Sequence, residues 1–436
     1  MLTYDSKYMF FPQIKEKAIK REDLFDFKKN NFKDSLTFRK LIYNDTSKIK
    51  EIGDKIKSKF STYVVVGIGG SDLGSRTIES ALCSKEGGLK VKFIGENTDP
   101  DEIANFFKEI DIKSTIFNVI SKSGETVEII ANFLYIKNVI HSALGNEGVS
   151  SNIVITTSSP GSTLYKLSQE CGIEVIEGVS DVGDRFSVLS VIGLLTAYVL
   201  GLDIDKFLEG AKNIDSKTNS FNPNENEALM FAELNYLSFK NLGKNIAILM
   251  PYSQNLRNLG FWYRQLWAES LGKKLSISGD VVHFGLTPIA SVGSTDQHSQ
   301  IQLYNEGPND KIITFIEVDK FKNNLEIKAS DNLVFYLNGK TFSDIIHTER
   351  LATSISLMEN SRSNGTLHID EISEFSLGEL FYFFELTVSY IGEFANINTF
   401  DQPGVEKGKE YMYSMLLKPG FEEQKKHLDK IINENT

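Results

Sequence analysis

Residues 63–74 have the sequence YVVVGIGGSDLG, in which a β-branched run ends in a glycine-rich turn. An uninterrupted run of this kind is typical of a strand buried on both faces. The glycines let the backbone turn tightly into a helix, which we predict over residues 73–81. This strand–turn–helix unit indicates an α/β fold.

The same pattern repeats along the chain in two sets, which meet near residue 220. Buried strands that alternate with helices indicate parallel sheets covered on both faces. We predict strands at residues 63–67, 91–95, 114–120, 152–156, 173–176, 245–250, 311–318 and 366–369. We predict helices at residues 73–81, 101–108, 127–140, 163–170, 188–200 and 253–271, with further helical segments at 203–239 and from residue 404 onward.

These patterns predict an α/β protein with two doubly wound parallel-sheet domains, each a three-layer α/β/α arrangement, and helical N- and C-terminal extensions. The boundaries we expect are a helical lead-in at residues 1–50, α/β domains at 51–220 and 221–395, and a C-terminal helical segment at 396–436. Ligands of such sheets bind at the carboxyl ends of strands, near a switch in strand order.

The composition and charge of the chain limit the kinds of partner and cofactor that it is expected to bind. The net charge is −11 and no block of like charges occurs, which argues against a nucleic acid or an anionic membrane as the main partner. Cys83 and Cys171 are interpreted as reduced core thiols, and neither a signal peptide nor an apolar run of membrane-spanning length is apparent. The six histidines are scattered without metal-ligand spacing. We therefore expect a cytoplasmic protein that needs no metal.

Two of the predicted turns have the composition of anion-binding loops. Residues 121–126, SKSGET, place three hydroxyls and a lysine where a strand leads into a helix, and hydroxyls with helix N-terminal amides can bind a dianion. The alternative is a helix cap with spare serines. Residues 67–74 allow close backbone approach but equally fit a simple tight turn, and Ser71 and Asp72 break the register of a dinucleotide-binding fingerprint.

The predicted helix at 253–271 carries a candidate general base. Gln265 and Glu269 are four residues apart and share one face, while Trp262 and Trp267 are expected to flank them with apolar surface. Desolvation disfavours the charged form of a carboxylate, as a general base working near neutral pH requires. The alternative is a glutamate at a helix end that faces water.

The loops at 67–74 and 121–126 resemble those of the sugar isomerase domain. The full set of motifs spans residues 67 to 409 in order and is similar to the glucose-6-phosphate isomerase family. The remaining motifs are VGDRFSV at 182–188, QLWAES at 265–270, GSTDQHS at 293–299 and FDQPGVEKGK at 400–409. Two positions depart from the family pattern, Asp184 in place of a glycine and Glu125 in place of a threonine. A Glu125 side chain pointing at the phosphate would weaken its binding.

The resemblance implies reversible aldose–ketose isomerisation of D-glucose 6-phosphate and D-fructose 6-phosphate, in glycolysis and gluconeogenesis, through ring opening and a cis-enediolate. It assigns Glu269 as the proton-shuttling base, Arg185 as the cation that stabilises the oxyanion, His298 to ring opening and Lys409 to the ring oxygen. The residues implied to line the sugar are Gly70, Ser71, Lys122, Gln265 and Gln402, and those implied to hold the phosphate are Ser121, Ser123 and Thr126. No cofactor is implied.

The resemblance also implies a homodimer in which His298 reaches the neighbouring active site. Three other functions are considered. A dual glucose/mannose phosphate isomerase uses the same proton transfer. A non-catalytic sugar-phosphate sensor could discard Glu269, Arg185 and Lys409, all of which are present. A glutamine-dependent aminosugar synthase needs an N-terminal cysteine nucleophile, which Cys83 and Cys171 cannot supply.

Overall fold

A computed structural model of the chain describes residues 1–9, 36–83 and 85–435. It contains two sheets dominated by parallel strands, each covered by helices. The strands are Thr3–Asp5 (β1), Thr62–Val66 (β2), Lys90–Ile94 (β3), Thr115–Ile120 (β4), Ile153–Thr157 (β5), Glu174–Glu177 (β6), Ile246–Pro251 (β7), Lys273–Leu275 (β8), Val281–Phe284 (β9), Thr287–Ala290 (β10), Lys311–Val318 (β11) and Asn364–Ile369 (β12).

The helices are Ser47–Lys57 (α1), Leu73–Leu82 (α2), Pro100–Lys108 (α3), Val127–Asn152 (α4), Thr163–Glu170 (α5), Val191–Val199 (α6), Ile204–Lys217 (α7), Glu227–Leu242 (α8), Arg257–Leu271 (α9), Ile301–Glu306 (α10), Phe342–Glu359 (α11), Glu374–Phe394 (α12), Glu406–Met415 (α13) and Glu422–Asn435 (α14). None of these described helices combines the length and apolarity that crossing a membrane requires.

The first sheet has the order β3-β2-β4-β5-β6 and is entirely parallel. The chain runs from β2 outward to β3 and then returns to the other side of β2 with β4, so the strand order switches between β2 and β4. Val66 and Val119 are register partners there. The turns that follow β2 and β4 therefore lie side by side, at the place where such sheets bind ligands.

The second sheet has the order β10-β7-β11-β12-β1. Four of its strands are parallel, and β1 pairs antiparallel with β12, with Tyr4 opposite Leu367. The expectation of a helical lead-in over residues 1–50 is wrong at its start, because Thr3–Asp5 completes this sheet. Part of that expectation, residues 10–35, lies outside the described residues.

One hydrophobic core joins the two sheets. It contains Tyr63 and Val65 of β2 together with Leu249 of β7 and Ile316 of β11. Helix α12 runs through this core with nearly all of its residues buried, from Glu374 to Gly392. The apolar surface that both sheets share with α12 fixes the two halves against each other.

The predicted α/β class and the eight predicted strands are confirmed, each strand within two residues. Several other elements differ from the predictions. The helix predicted at 127–140 continues to Asn152 past a non-helical Gly145, and the segment at 203–239 is two helices. Cys83 is exposed and Cys171 partly so, which makes the expectation of core thiols wrong, although both are free.

Candidate active site

Arg185 lies at the centre of the site and is almost completely buried, with 2% of its side chain exposed. It sits in a short 3₁₀ turn, Asp184–Phe186. All three nitrogens of its guanidinium donate hydrogen bonds. Nε donates to Ser270 Oγ at 2.9 Å, and Nη1 donates to Glu269 Oε2 at 3.2 Å and to Gln402 Oε1 at 3.0 Å. Nη2 donates to the main-chain carbonyls of Thr399 at 2.6 Å and Asp401 at 3.1 Å. A buried cation with all its donors paired is held in one orientation.

Glu269 lies in the last turn of α9, and 34% of its side chain is exposed to solvent. Its Oε2 accepts from Arg185, and its Oε1 accepts from Gln265 Nε2 at 3.1 Å. The apolar surroundings expected for this carboxylate are not found. Trp262 and Trp267 are buried in the aromatic core instead, and polar groups orient the carboxylate.

The turn after β2 packs directly against these groups. A β-carbon at Gly70 would lie 2.4 Å from the carbonyl carbon of Asp184, and one at Gly69, where φ is +59°, would lie 2.8 Å from Gln265 Nε2. Glycine is therefore required at both positions for the loop to approach. Ser71 is buried beside them.

The turn after β4 gathers the predicted phosphate-binding hydroxyls. Ser121 Oγ and Thr126 Oγ1 are 3.1 Å apart, and the amide of Gly124 donates to Ser121 Oγ at 3.1 Å. Ser123 is exposed, and its Oγ accepts from the amide of Glu125 at 3.2 Å. Thr126 is the N-cap residue of α4, so the hydroxyls surround a helix N-terminus.

Glu125 points away from these hydroxyls. Its carboxylate accepts from the amide of Thr163 at 2.7 Å and from Thr163 Oγ1 at 3.0 Å, and Lys418 Nζ is 3.3 Å away. Burial alone would raise the pKa of Glu125, but the donors from Thr163 and Lys418 outweigh it and lower that pKa. The charge that departs from the family pattern is therefore neutralised outside the phosphate loop.

Asp184 is exposed to solvent, yet many protein atoms surround its carboxyl group. This enclosure raises the pKa of Asp184, and the Glu269 carboxylate raises it further. Lys122, Arg185 and Lys409 oppose the rise with positive charge, which means that all three lie within electrostatic reach. The site thus holds two carboxylates among three cations.

Lys409 reaches the site from the C-terminal extension. It lies on α13, where its Nζ pairs with Glu406 at 2.9 Å. The same helix is anchored beside the phosphate loop, because the Tyr413 hydroxyl donates to the carbonyl of Glu125 at 2.9 Å.

His298 is the predicted residue that the structure does not join to the others. It follows the 3₁₀ turn Thr295–Gln297, after β10, and is exposed. Within the described residues its imidazole forms no hydrogen bond or ion pair, with Glu269 or otherwise.

Sequence reasoning missed three partners of Arg185: Ser270 and the main chains of Thr399 and Asp401. Ser270 lies inside the motif at 265–270, so its role could have been predicted from the sequence. A main-chain carbonyl can belong to any residue type, so no sequence pattern predicts it. In the part of the chain that the structure describes, no group of three or more His, Cys, Asp or Glu side chains is arranged to hold a metal ion.

Comparisons with known proteins relate this chain to glucose-6-phosphate isomerases. A model of the phosphoglucose isomerase family matches residues 47–431. The glucose-6-phosphate isomerase of Carboxydothermus hydrogenoformans is 35% identical, with 99% of this chain and 98% of that protein covered. A crystal structure of a glucose-6-phosphate isomerase from Chlamydia trachomatis superimposes with a TM-score of 0.76 at 27% identity, over 91% of this chain and 77% of that one. A hypothetical protein from Thermus thermophilus superimposes with a TM-score of 0.83 at 29% identity, over 95% of this chain and all of that one.

Proposed function

Because this chain belongs to the phosphoglucose isomerase family, we infer that the cleft around Arg185 and Glu269 binds a phosphorylated hexose and interconverts its aldose and ketose forms. The protein is an aldose–ketose isomerase, and its reaction is the reversible conversion of D-glucose 6-phosphate to D-fructose 6-phosphate. One observation carries the assignment of chemistry to residues: a buried, fully bonded guanidinium lies 3.2 Å from a carboxylate whose side chain is partly exposed to solvent.

Glu269 is the base in this proposal. Isomerisation moves one proton between C1 and C2, so a single carboxylate can remove it from one carbon and return it to the other. Negative charge develops on the sugar oxygens in the enediolate between these steps. Arg185 is a fixed cation beside the base, and its charge stabilises that oxyanion without reorganising.

The phosphate is held by the turn after β4. Ser121, Ser123 and Thr126 supply hydroxyls at the N-terminus of α4, where amide groups and the helix dipole favour an anion. The orientation of Glu125 toward Thr163 supports this role, because it keeps a carboxylate away from the phosphate. The sugar is lined by Gly70, Ser71, Lys122, Gln265 and Gln402.

Ring opening falls to His298 and Lys409. Lys409 lies on α13, which the hydrogen bond of Tyr413 to the carbonyl of Glu125 anchors beside the turn after β4, and this supports its place at the ring oxygen. His298 would come from the partner in a homodimer, since its exposed imidazole has no partner among the described residues. An exposed apolar segment, Asn332–Leu337, supports such an assembly, because Leu333 is 87% exposed and Phe335 and Tyr336 are exposed beside it.

The organisation of the chain follows from these roles. We propose domains at 51–220, carrying the phosphate loop, and 221–395, carrying Glu269, with residues 396–436 completing the site through Gln402 and Lys409. The position of both loops at the switch point of the first sheet supports this division. We further propose that the protein works in the cytoplasm.

A coupled assay tests the function. Purified protein is given glucose 6-phosphate, fructose 6-phosphate or mannose 6-phosphate, each before and after exhaustive EDTA treatment. We expect interconversion of the first two at rates that EDTA leaves unchanged, because the described residues offer no cluster of metal ligands. Comparable turnover of mannose 6-phosphate would indicate the dual-specificity alternative, and activity that EDTA removes and metal restores would contradict the cofactor-free mechanism.

A further inference from the structure

Lys273 is a buried lysine next to the site that no role above accounts for. It opens strand β8, four residues after Glu269, and only 5% of its side chain is exposed. Its ammonium donates to the carbonyl of Glu269 at 2.8 Å and to the carbonyl of Asp401, and it pairs with Asp401 Oδ1 at 3.1 Å. Three acceptors on two separate segments hold this one charge.

The bonds of Lys273 close a ring with those of Arg185. The carbonyl of Asp401 also accepts from Arg185 Nη2 at 3.1 Å, and Arg185 Nη1 returns to the Glu269 carboxylate at 3.2 Å. The ring thus runs from the main chain of Glu269 through Lys273, Asp401 and Arg185 to the side chain of Glu269. Gln402, next to Asp401, is bonded to the same guanidinium.

The ring fixes the groups whose relative placement the chemistry needs. Asp401 lies in a segment without regular structure, between α12 and the 3₁₀ turn at Pro403–Val405. The backbone hydrogen bonds of a helix therefore do not hold it in place. Lys273 ties this segment to the last turn of α9. A buried ammonium adds little to folding stability compared with an apolar side chain of similar size. A charged donor with three acceptors does, however, fix the relative positions of the groups that it joins.

From this ring we propose that Lys273 is a positioning residue of the isomerase, one that holds the Glu269 base, the Arg185 cation and Gln402 in register without touching the sugar. The proposal rests on the function assigned above and extends it. Because misplacing reacting groups by about 1 Å can cost roughly 10²-fold in rate, loss of Lys273 should act on kcat rather than on substrate affinity.

The test compares Lys273→Met, Lys273→Arg and the control Lys274→Met, whose side chain is exposed on the neighbouring position. Each variant is assayed for kcat and KM, for inhibition by inorganic phosphate, and for inhibition by a phosphorylated sugar acid whose carboxylate imitates the enediolate. Lys273→Met should lose roughly 10²-fold in kcat and a comparable factor in sugar-acid affinity, with phosphate inhibition unchanged. Lys273→Arg should recover part of both losses, and Lys274→Met should equal the wild type.

Several outcomes would overturn the proposal: unchanged kcat in Lys273→Met, or losses of kcat, phosphate inhibition and folded protein that move together. If Lys273→Met does not fold, Asp401→Ala tests the proposal instead. This change removes one acceptor of Lys273, and it should leave the fold intact because the Asp401 side chain is 51% exposed. A smaller loss of kcat with intact phosphate inhibition supports the proposal, and unchanged kcat contradicts it. Absence of isomerase activity in the wild type would instead contradict the proposed function.

Discussion

At the scale of single residues, the ion pair of Arg185 with Glu269 serves two states of the reaction in the mechanism we propose. Before substrate reacts, the guanidinium orients the carboxylate for proton abstraction. As the proton moves to Glu269, the negative charge passes to the sugar oxygens, and the same cation is available to them. The five acceptors around Arg185 keep it in place during this exchange.

The phosphate loop gives the first prediction. Ser123→Ala and Thr126→Ala each remove one hydroxyl that, in our proposal, binds the phosphate equally in the ground state and the transition state. Each should therefore raise KM for the sugar phosphate and weaken inhibition by inorganic phosphate, with kcat nearly unchanged. Steady-state kinetics check this, with Ser159→Ala in the neighbouring turn as the matched control. A loss confined to kcat would place the loop elsewhere in the mechanism.

How far the site could be predicted depended on whether a residue acts through its side chain. Glu269 and the hydroxyls of 121–126 are predicted from residue type and spacing, and Arg185 is predicted from the resemblance of its motif to the family. The acceptor of Arg185 at Thr399 is a main-chain carbonyl 214 residues away, which no local pattern encodes. The direction of Glu125 also depends on tertiary contacts, with Thr163 and Lys418.

At the scale of elements, the strands that the sequence predicts are those buried on both faces. Every residue of β4 and of β11 is buried, and both strands consist mainly of apolar or β-branched residues, with Asn118 the exception in β4 and Lys311 and Glu317 the exceptions in β11. The edge strands β1 and β10 were missed because they have three and four residues and mixed character. Helix α12 was missed because burial all around leaves no amphipathic period to detect.

Asp72, at the junction of the first loop and α2, gives a prediction for stability. Its side chain is buried, and this burial raises its pKa to about 6 against the opposing charge of Arg76. A carboxyl with a higher pKa in the folded state favours folding most below its ordinary pKa of about 4, and that contribution is lost as the pH rises to about 6. The lost contribution is on the order of 2–3 kcal/mol.

The test uses Asp72→Asn, which cannot ionise. Relative to the wild type, its melting temperature should rise as the pH increases from about 4 to about 6 and stay constant above that window. Thermal melts at intervals of pH measure the difference. A difference independent of pH would mean that Asp72 ionises in the folded protein as readily as in the unfolded chain.

At the scale of the whole molecule, the site draws on both sheets and the C-terminal extension. In the proposed site, the first sheet supplies the loop that binds phosphate, α9 supplies the base, and the segment after α12 supplies Gln402 and Lys409. The shared core fixes these parts, but His298 has no partner within the described chain. The homodimer we propose would bring His298 from a second copy to the site.

Mixing two defective proteins tests that arrangement. His298→Ala and Glu269→Gln chains, refolded together, should form mixed dimers with one site carrying both intact residues and one carrying neither. Random assortment in a two-fold dimer makes about half the dimers mixed, so activity should recover to roughly a quarter of the wild type. Mass measurement of the mixed dimers is the control. Mixed dimers without recovered activity would mean that His298 serves its own chain or has no catalytic role.

The most direct test of the central claim is the rate of proton transfer in Glu269→Gln. The amide keeps the shape of the side chain and one oxygen that can accept from Arg185, but it cannot accept a carbon-bound proton. We predict that isomerisation and the exchange of the sugar C2 proton with deuterated solvent both fall by roughly 10²–10⁴-fold, while inhibition by inorganic phosphate is unchanged. Proton exchange and turnover near the wild-type rates would contradict Glu269 as the base.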